Sequence, residues 1–497
     1  MNPGVLDVRD AVRAGKLKAV EAVAEALRQI RSVDSILRAT TQVFEAEALE
    51  RAEEIDRRLA RGDPVGPLAG VPYTVKDNLC TLWGKTSATS KILEDYRAPY
   101  NATVVDRLDK AGAIPVAKTN MDEFAMGSST ENSGTVGPTR NPWKTTHVPG
   151  GSSGGAAALA AATRGMFHLG SDTGGSIRQP AACCGVTGIK PSYGRVSRYG
   201  LLAFASSLDQ IGVLEATARG CALALEVMAG RDAMDSTSVS SPVPGYLEEL
   251  RKDISGLRLG VPREYFPEGI DEDVSRQVLS GIETFRGMGV SVREVSLPHT
   301  RYANPAYVLI SAAEASSNLA RYDGVHYGYR TPQPGNILDL YCRSRVEGFG
   351  PEVKRRIMVG TFVLSAGYYD AFYSKACKVR KLIRQDFDRV FAEVDAVICP
   401  TSPVAAFPLG EKIDDPLKLY AVDVLTVPAN LASVPGISFP CGFTADGLPV
   451  GLQVYGRPFE DAVVLRLAHA FQSVTRHHLQ VPPVQAWASG GSNRGEG

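Results

Sequence analysis

The chain has 497 residues, 44% of them hydrophobic and 22% charged, a composition ordinary for a globular protein. Lys plus Arg and Asp plus Glu each number 54, without the excess cationic charge usual in a protein that grips nucleic acid by itself, so work on RNA is expected to need a partner to hold it. No apolar run approaches the roughly 20 residues that span a bilayer, and the first residues, MNPGVLDVRDAVRAG, lack the apolar stretch of a signal peptide. The expected address is the cytoplasm. Eight cysteines without CxxC or Cys/His spacing, two of them adjacent (Cys183-Cys184), are expected to be buried free thiols rather than a disulfide or zinc site.

In chain order, residues 5 to about 60 carry apolar positions at helical spacing (Val5, Leu6, Val8, Val12, then Val20, Val23, Leu27) and predict a helical region over 1–65, packed on the core. From Leu68 the pattern turns to short strands alternating with helices: strand 70–75, helix 101–111, strand 113–117, an Ala-rich helix after Gly155 that must be buried or half-buried, and strand 166–170. A strand at 256–261, a helix at 274–285 and a strand at 290–295 follow. A helix-rich insertion over about 304–393 leads to strand 395–400. A hairpin turning at Asp446-Gly447 and a helix over 461–474 close the main domain, 66–487. The Gly/Ser-rich tail 488–497 is expected to be disordered. Such alternation predicts an α/β fold with a central, mixed but mostly parallel sheet covered by helices on both faces.

The chemistry is densest between Pro149 and Gly194, where PGGSSGG and GSDTGGSIRQPA surround Ser152 and Ser176. Glycines let a carbonyl approach backbone N–H groups closely, and a serine beside them has the makings of a nucleophile with an oxyanion hole. A histidine base is the usual companion. Of the seven histidines only His147 and His168 fall near the glycine turns, and neither comes with an orienting carboxylate. Lys76, ending the apolar strand in VPYTVKDN, is the better base, provided burial and a neighbouring cation keep it neutral. Gly151–Gly155 formally matches G-x-S-x-G around Ser153, but a proline-punctuated loop precedes it instead of the strand that a nucleophile elbow requires.

Lys76, Ser152 and Ser176, with GGSSGG and DTGGSIRQPA, resemble the amidase signature family. The resemblance implies a Ser–cis-Ser–Lys triad: Ser176 the acylated nucleophile, Ser152 the bridging serine on a cis peptide, Lys76 the base, and Ser153 a support for the lysine. Thr173, Gly174, Gly175 and Ser176 would furnish the oxyanion hole. LAGVPYTVKDN, AKTNMDEFAMGSSTENS, GRVSRYGLLAFASSLDQIG and VKRRIMVGTFVLSAGYYDAFY extend the likeness, along nearly the whole chain, to the glutaminase subunits of glutamyl-tRNA(Gln)/aspartyl-tRNA(Asn) amidotransferases. Membership there implies free glutamine as substrate, with Arg356 for its carboxylate, Asp423 for its ammonium and Tyr307 as a hydroxyl donor. It implies no metal or cofactor in this chain. It also implies two companions: a kinase-like, tRNA-binding partner that uses ATP and Mg, and a small third subunit. Contact with tRNA would then run mainly through the kinase-like partner. Two readings compete: a free-standing amidase acting on small or fatty amides, and a scaffold with a decayed site. The lack of a membrane-binding apolar segment and the intact serines and lysine weigh against them.

Overall fold

Eleven strands join in one sheet in a computed structural model that describes residues 4–266, 269–412 and 415–484. The tail 488–497 lies outside the described residues. In chain order the strands are β1 (Thr40–Val43), β2 (Pro72–Lys76), β3 (Ile114–Thr119), β4 (Phe167–Asp172), β5 (Thr187–Lys190) and β6 (Gln210–Glu215). The second half adds β7 (Arg258–Pro262), β8 (Ser291–Val295), β9 (Ala396–Pro400), β10 (Gly436–Phe443) and β11 (Pro449–Gly456). They lie side by side in the order β1-β3-β2-β4-β6-β5-β10-β11-β9-β7-β8.

The sheet is mixed, as expected, but it is not mostly parallel. Six of its ten pairings are antiparallel, and the four parallel ones fall in two groups, β3-β2-β4 and β9-β7-β8. The βα alternation is regular only in those two groups. Between them lie β6, β5 and the β10–β11 hairpin, all paired antiparallel, and only the hairpin's short connection dictates that direction.

Helices cover both faces, and β9 explains how one strand feeds two cores. Ala396 and Ile398 join the cluster under helices Ala218–Met228, Glu272–Gly287 and Asp461–Val474. Val397 and Cys399 face the opposite cluster, under Ala303–Asn318 and Lys375–Glu393. Successive strand residues point to opposite faces, so a strand buried on both sides reads as a continuous apolar run rather than an alternating one.

The stretch predicted as helix over 5–60 holds three helices, Val5–Arg13, Ala19–Leu37 and Glu45–Ala60, but also β1, which pairs with β3 at the sheet's edge. The Ala-rich segment is the helix Gly154–Ala162, buried along its entire length. Its Ala158 and Leu159 pack towards the N-terminal helices and its Ala156, Ala157, Ala160 and Ala161 towards helix Arg178–Cys184. A helix apolar all round fits only where it is enclosed. No helix of the described residues is long and apolar enough to cross a membrane. All eight cysteines are free and six are buried, but Cys377 is half-buried and Cys342 is exposed on the helix Ile337–Gly348, against the expectation that all would be interior.

Candidate active site

Lys76 is the last residue of β2 and is completely buried. Its Nζ donates to Ser152 Oγ at 2.7 Å, to Ser153 Oγ at 2.8 Å, and to Ser171 Oγ and carbonyl oxygen at 3.0 and 3.3 Å. Every one of these acceptors is neutral. Burial therefore pulls the Lys76 pKa down to about 7, against the weaker opposing pull of Asp122, Asp172 and Asp209. No second cation is needed, although the sequence suggested that one would help.

Ser152 follows a cis Gly151–Ser152 peptide bond. A Cβ at Gly151 would stand 2.2 Å from Asp122 Oδ2 and 2.7 Å from the Ser129 backbone nitrogen, so only glycine fits there. The two serine turns are tied together, because the Ser153 backbone N–H donates to the Ser176 carbonyl at 3.1 Å. Ser152 and Ser153 have no exposed surface, whereas Ser176 keeps 6%, so of the three only Ser176 meets incoming molecules.

The turn Thr173–Ser176 leaves the end of β4 and is braced from several sides. Thr173 Oγ1 donates to Asp209 at 2.7 Å, and Thr426 Oγ1 donates to the Gly174 carbonyl at 2.7 Å. Gly175 has φ +152°, and a Cβ there would lie 2.2 Å from Thr426 Oγ1. Beneath the turn, Arg178 forks onto both carboxylate oxygens of Asp172 at 3.1 Å and reaches Asn430 Oδ1 at 2.6 Å. Burial alone would raise the Asp172 carboxyl, but Arg178, Lys190 and Asn430 hold it below its ordinary value.

The three residues proposed for substrate meet around the same turn. The Tyr307 ring covers Gly174 so closely that a Cβ at Gly174 would lie 2.7 Å from Tyr307 Cζ. Arg356, buried in the helix Pro351–Leu364, is held by Glu352 at 2.8 Å and sandwiched by the Tyr420 and Phe204 rings at 4.8 and 5.3 Å. Asp423 Oδ2 accepts from Ser128 Oγ, while its Oδ1 accepts no hydrogen bond from the described residues. A Cβ on Gly175 would come within 3.1 Å of that free oxygen. Burial raises the Asp423 carboxyl to about 7. An unsatisfied buried acceptor beside a nucleophile turn is a place for a ligand's donor.

Sequence reasoning missed Ser171, Ser128, Asp209 and Thr426. Ser171 was findable, since it precedes the DTGGS turn on the strand beside Lys76, and Asn78 Nδ2 also donates to it at 3.0 Å. The other three are brought in by tertiary folding alone. The two histidines near the glycine turns are accounted for otherwise. His168 pairs through Nδ1 with Thr74 Oγ1 at 2.8 Å, and burial drives its pKa to about 3. His147 pairs with Thr146 at 3.0 Å. Among the described residues no cluster of His, Cys, Asp and Glu is grouped to hold a metal ion.

A buried lysine hydrogen-bonded to the Ser152 and Ser153 hydroxyls beside a glycine-framed serine turn is a layout for serine-type amide hydrolysis, and the chain belongs to the Amidase family, whose sequence profile matches residues 21–465. The A-subunit of the glutamyl-tRNA(Gln) amidotransferase from Moorella thermoacetica is 54% identical to it over 96% of this chain and 97% of its own length. The crystal structure of the corresponding glutamyl-tRNA(Gln) amidotransferase chain from Thermotoga maritima superposes with TM-score 0.78 at 42% identity, covering 95% of this chain and 96% of that one. A native peptide amidase from Stenotrophomonas maltophilia shares the fold at TM-score 0.82 and 28% identity, over 97% of this chain and 98% of its own.

Proposed function

We propose that this chain is the glutamine-hydrolysing subunit of a tRNA-dependent amidotransferase. The observation that carries the reading is the pairing of a buried guanidinium, Arg356, and a free buried carboxylate oxygen, Asp423 Oδ1, around the turn that holds Ser176. An α-amino acid offers the complementary carboxylate and ammonium; a neutral amide offers neither. Tyr307 adds a hydroxyl beside Gly174. The two relatives named as amidotransferase subunits, matched over nearly their whole lengths, support the reading as a subunit of such an enzyme.

In this reading Ser176 Oγ attacks the glutamine side-chain carbonyl carbon. Its proton passes to Ser152 Oγ as Ser152 gives its own to neutral Lys76. Backbone N–H groups of Thr173–Ser176 stabilise the oxyanion. Collapse of the tetrahedral intermediate breaks the C–N bond, and the lysine's proton returns through Ser152 to the departing nitrogen. Water then enters on the same base and releases glutamate. Ammonia leaves for a kinase-like partner that holds the tRNA, ATP and Mg, with a small third subunit completing the assembly.

The test compares glutamine-dependent and ammonia-dependent amidation of Glu-tRNA(Gln) by the assembled complex. Ser176→Ala is expected to abolish the first and spare the second. Loss of both would remove Ser176 from the nucleophile's role. A wild-type chain that hydrolyses butyramide as fast as glutamine would favour a free-standing amidase instead.

A further inference from the structure

Glu123 takes no part in the chemistry above, yet it joins three of its elements. Its carboxylate is buried between the segment 122–130 and the start of the helix that carries Arg356. Gly350, the residue capping that helix, donates its backbone N–H to Glu123 Oε2 at 2.9 Å and to Oε1 at 3.2 Å. Ser90 Oγ donates to Glu123 Oε1 and lies 3.3 Å from the Gly348 carbonyl. A Cβ on Gly350 would stand 2.2 Å from Glu123 Oε2, so a side chain there would push the carboxylate away from the helix start. The next aromatic pair, Phe124 and Phe349, closes the joint with ring centroids 5.8 Å apart. Two residues into the helix, Glu352 holds Arg356 at 2.8 Å and accepts from Tyr420 Oη at 2.5 Å.

The other end of segment 122–130 reaches the remaining parts of the site. Asp122 accepts from the Thr130 backbone N–H at 2.9 Å and stands against Gly151, and Ser128 holds Asp423. Arg356 and Asp423 are thus both referenced to one short loop. Among the described residues Glu123 makes no direct ion pair, and the Lys354 ammonium acts on it only from a distance. A carboxylate buried without a direct ion-pair partner is a poor source of stability, whereas one that accepts the amide of a helix's capping residue fixes where that helix begins.

We propose that Glu123 is a positioning residue for glutamine recognition, setting the start of helix Pro351–Leu364 and, through Glu352, the aim of Arg356 relative to Asp423. The proposal rests on the glutaminase reading, and its test separates the two. Glutamine and butyramide hydrolysis would be measured with the full-length chain as wild type, Glu123→Ala, Glu123→Gln and Ser90→Ala. Glu123→Ala is expected to raise KM for glutamine roughly tenfold with kcat within about twofold, the signature of lost ground-state binding. Glu123→Gln can still accept from Gly350 and can donate to Ser90, so its KM should return to within about threefold of wild type. Ser90→Ala should fall between them. Butyramide, which has no carboxylate for Arg356, should be turned over equally by all four.

A fall in kcat with KM unmoved, equal losses on both substrates, or a Glu123→Gln variant as poor as Glu123→Ala would overturn the positioning role. Should Glu123→Ala not fold, a wild-type KM in Ser90→Ala would overturn it as well. A wild-type chain that does not prefer glutamine would overturn the functional reading instead.

Discussion

Lys76 Nζ and Ser152 Oγ stand 2.7 Å apart with no charged partner in the lysine's hydrogen-bond shell. A lysine so placed is a base only because the protein withholds the water that would keep it protonated.

The pH dependence follows. The folded pKa of Lys76, about 7, lies below the ordinary value of 10.5, so between those limits the folded chain binds fewer protons than the unfolded chain. The group's contribution to stability therefore rises with pH across that window. Activity should do the same at its lower end: kcat/KM for glutamine should climb through an apparent pKa near 7 as the base is freed. Lys76→Met should lower kcat by about 10²–10⁴-fold and remove that limb. An unchanged acid limb in the variant would assign it to another group.

Ser153 and Ser171 hold the lysine but have no part in the proposed proton path to Ser176. Removing either hydroxyl leaves Nζ with its remaining acceptors, so Ser153→Ala or Ser171→Ala should cost about 1 kcal/mol, roughly fivefold in kcat. Ser152→Ala breaks the proton path itself and should fall with Lys76→Met. Single-turnover rates of acyl-enzyme formation would rank the four variants.

Arg356→Lys keeps the charge but loses the planar fork and the stacking between Tyr420 and Phe204. KM for glutamine should rise about 10–100-fold with a smaller change in kcat. Asp423→Asn should also act on KM, because the free Oδ1 acceptor is the group removed or reoriented. Steady-state kinetics with glutamine decide; a change confined to kcat would place these residues in the chemical step.

Gly175 cannot carry a side chain: its φ is +152° and a Cβ would press to 2.2 Å from Thr426 Oγ1. Gly175→Ala should displace the turn and lower kcat at least about 100-fold, the scale of losing one oxyanion donor. Melting temperature and kcat measured together would show it, and wild-type kcat would mean that the turn tolerates the shift.

The Asp172–Arg178 pair lies under the same turn with both side chains wholly buried. Arg178→Met strands a carboxylate and should destabilise the fold by about 3–5 kcal/mol; adding Asp172→Asn should recover part of that loss. A denaturant-unfolding double-mutant cycle gives the coupling, and additive losses would argue against a structural pair.

Much of this site could be read in the sequence because its chemistry is local. DTGGS and GGSSGG each place a serine among glycines, and the failed search for a histidine pointed back to Lys76. Strand positions followed from apolar runs, and the helix predicted at 461–474 matches Asp461–Val474. Pairing direction did not follow, because β5 and β6 went unrecognised: strands of four and six residues, buried throughout, carry no alternation to detect. β1 hid between two strongly periodic helices. Ser128 and Asp209 meet their partners across 295 and 36 residues, distances at which composition and periodicity carry no information.

The two outermost strands bear on how this chain can associate. β1 has four residues and a register break between Thr40 and Gln42. β8 exposes Arg293 and Glu294 along its rim. Short, kinked or charged rims resist the addition of a further strand from another molecule. A companion is therefore expected to seat on helices and loops, with assembly set by side-chain fit rather than by extension of the sheet.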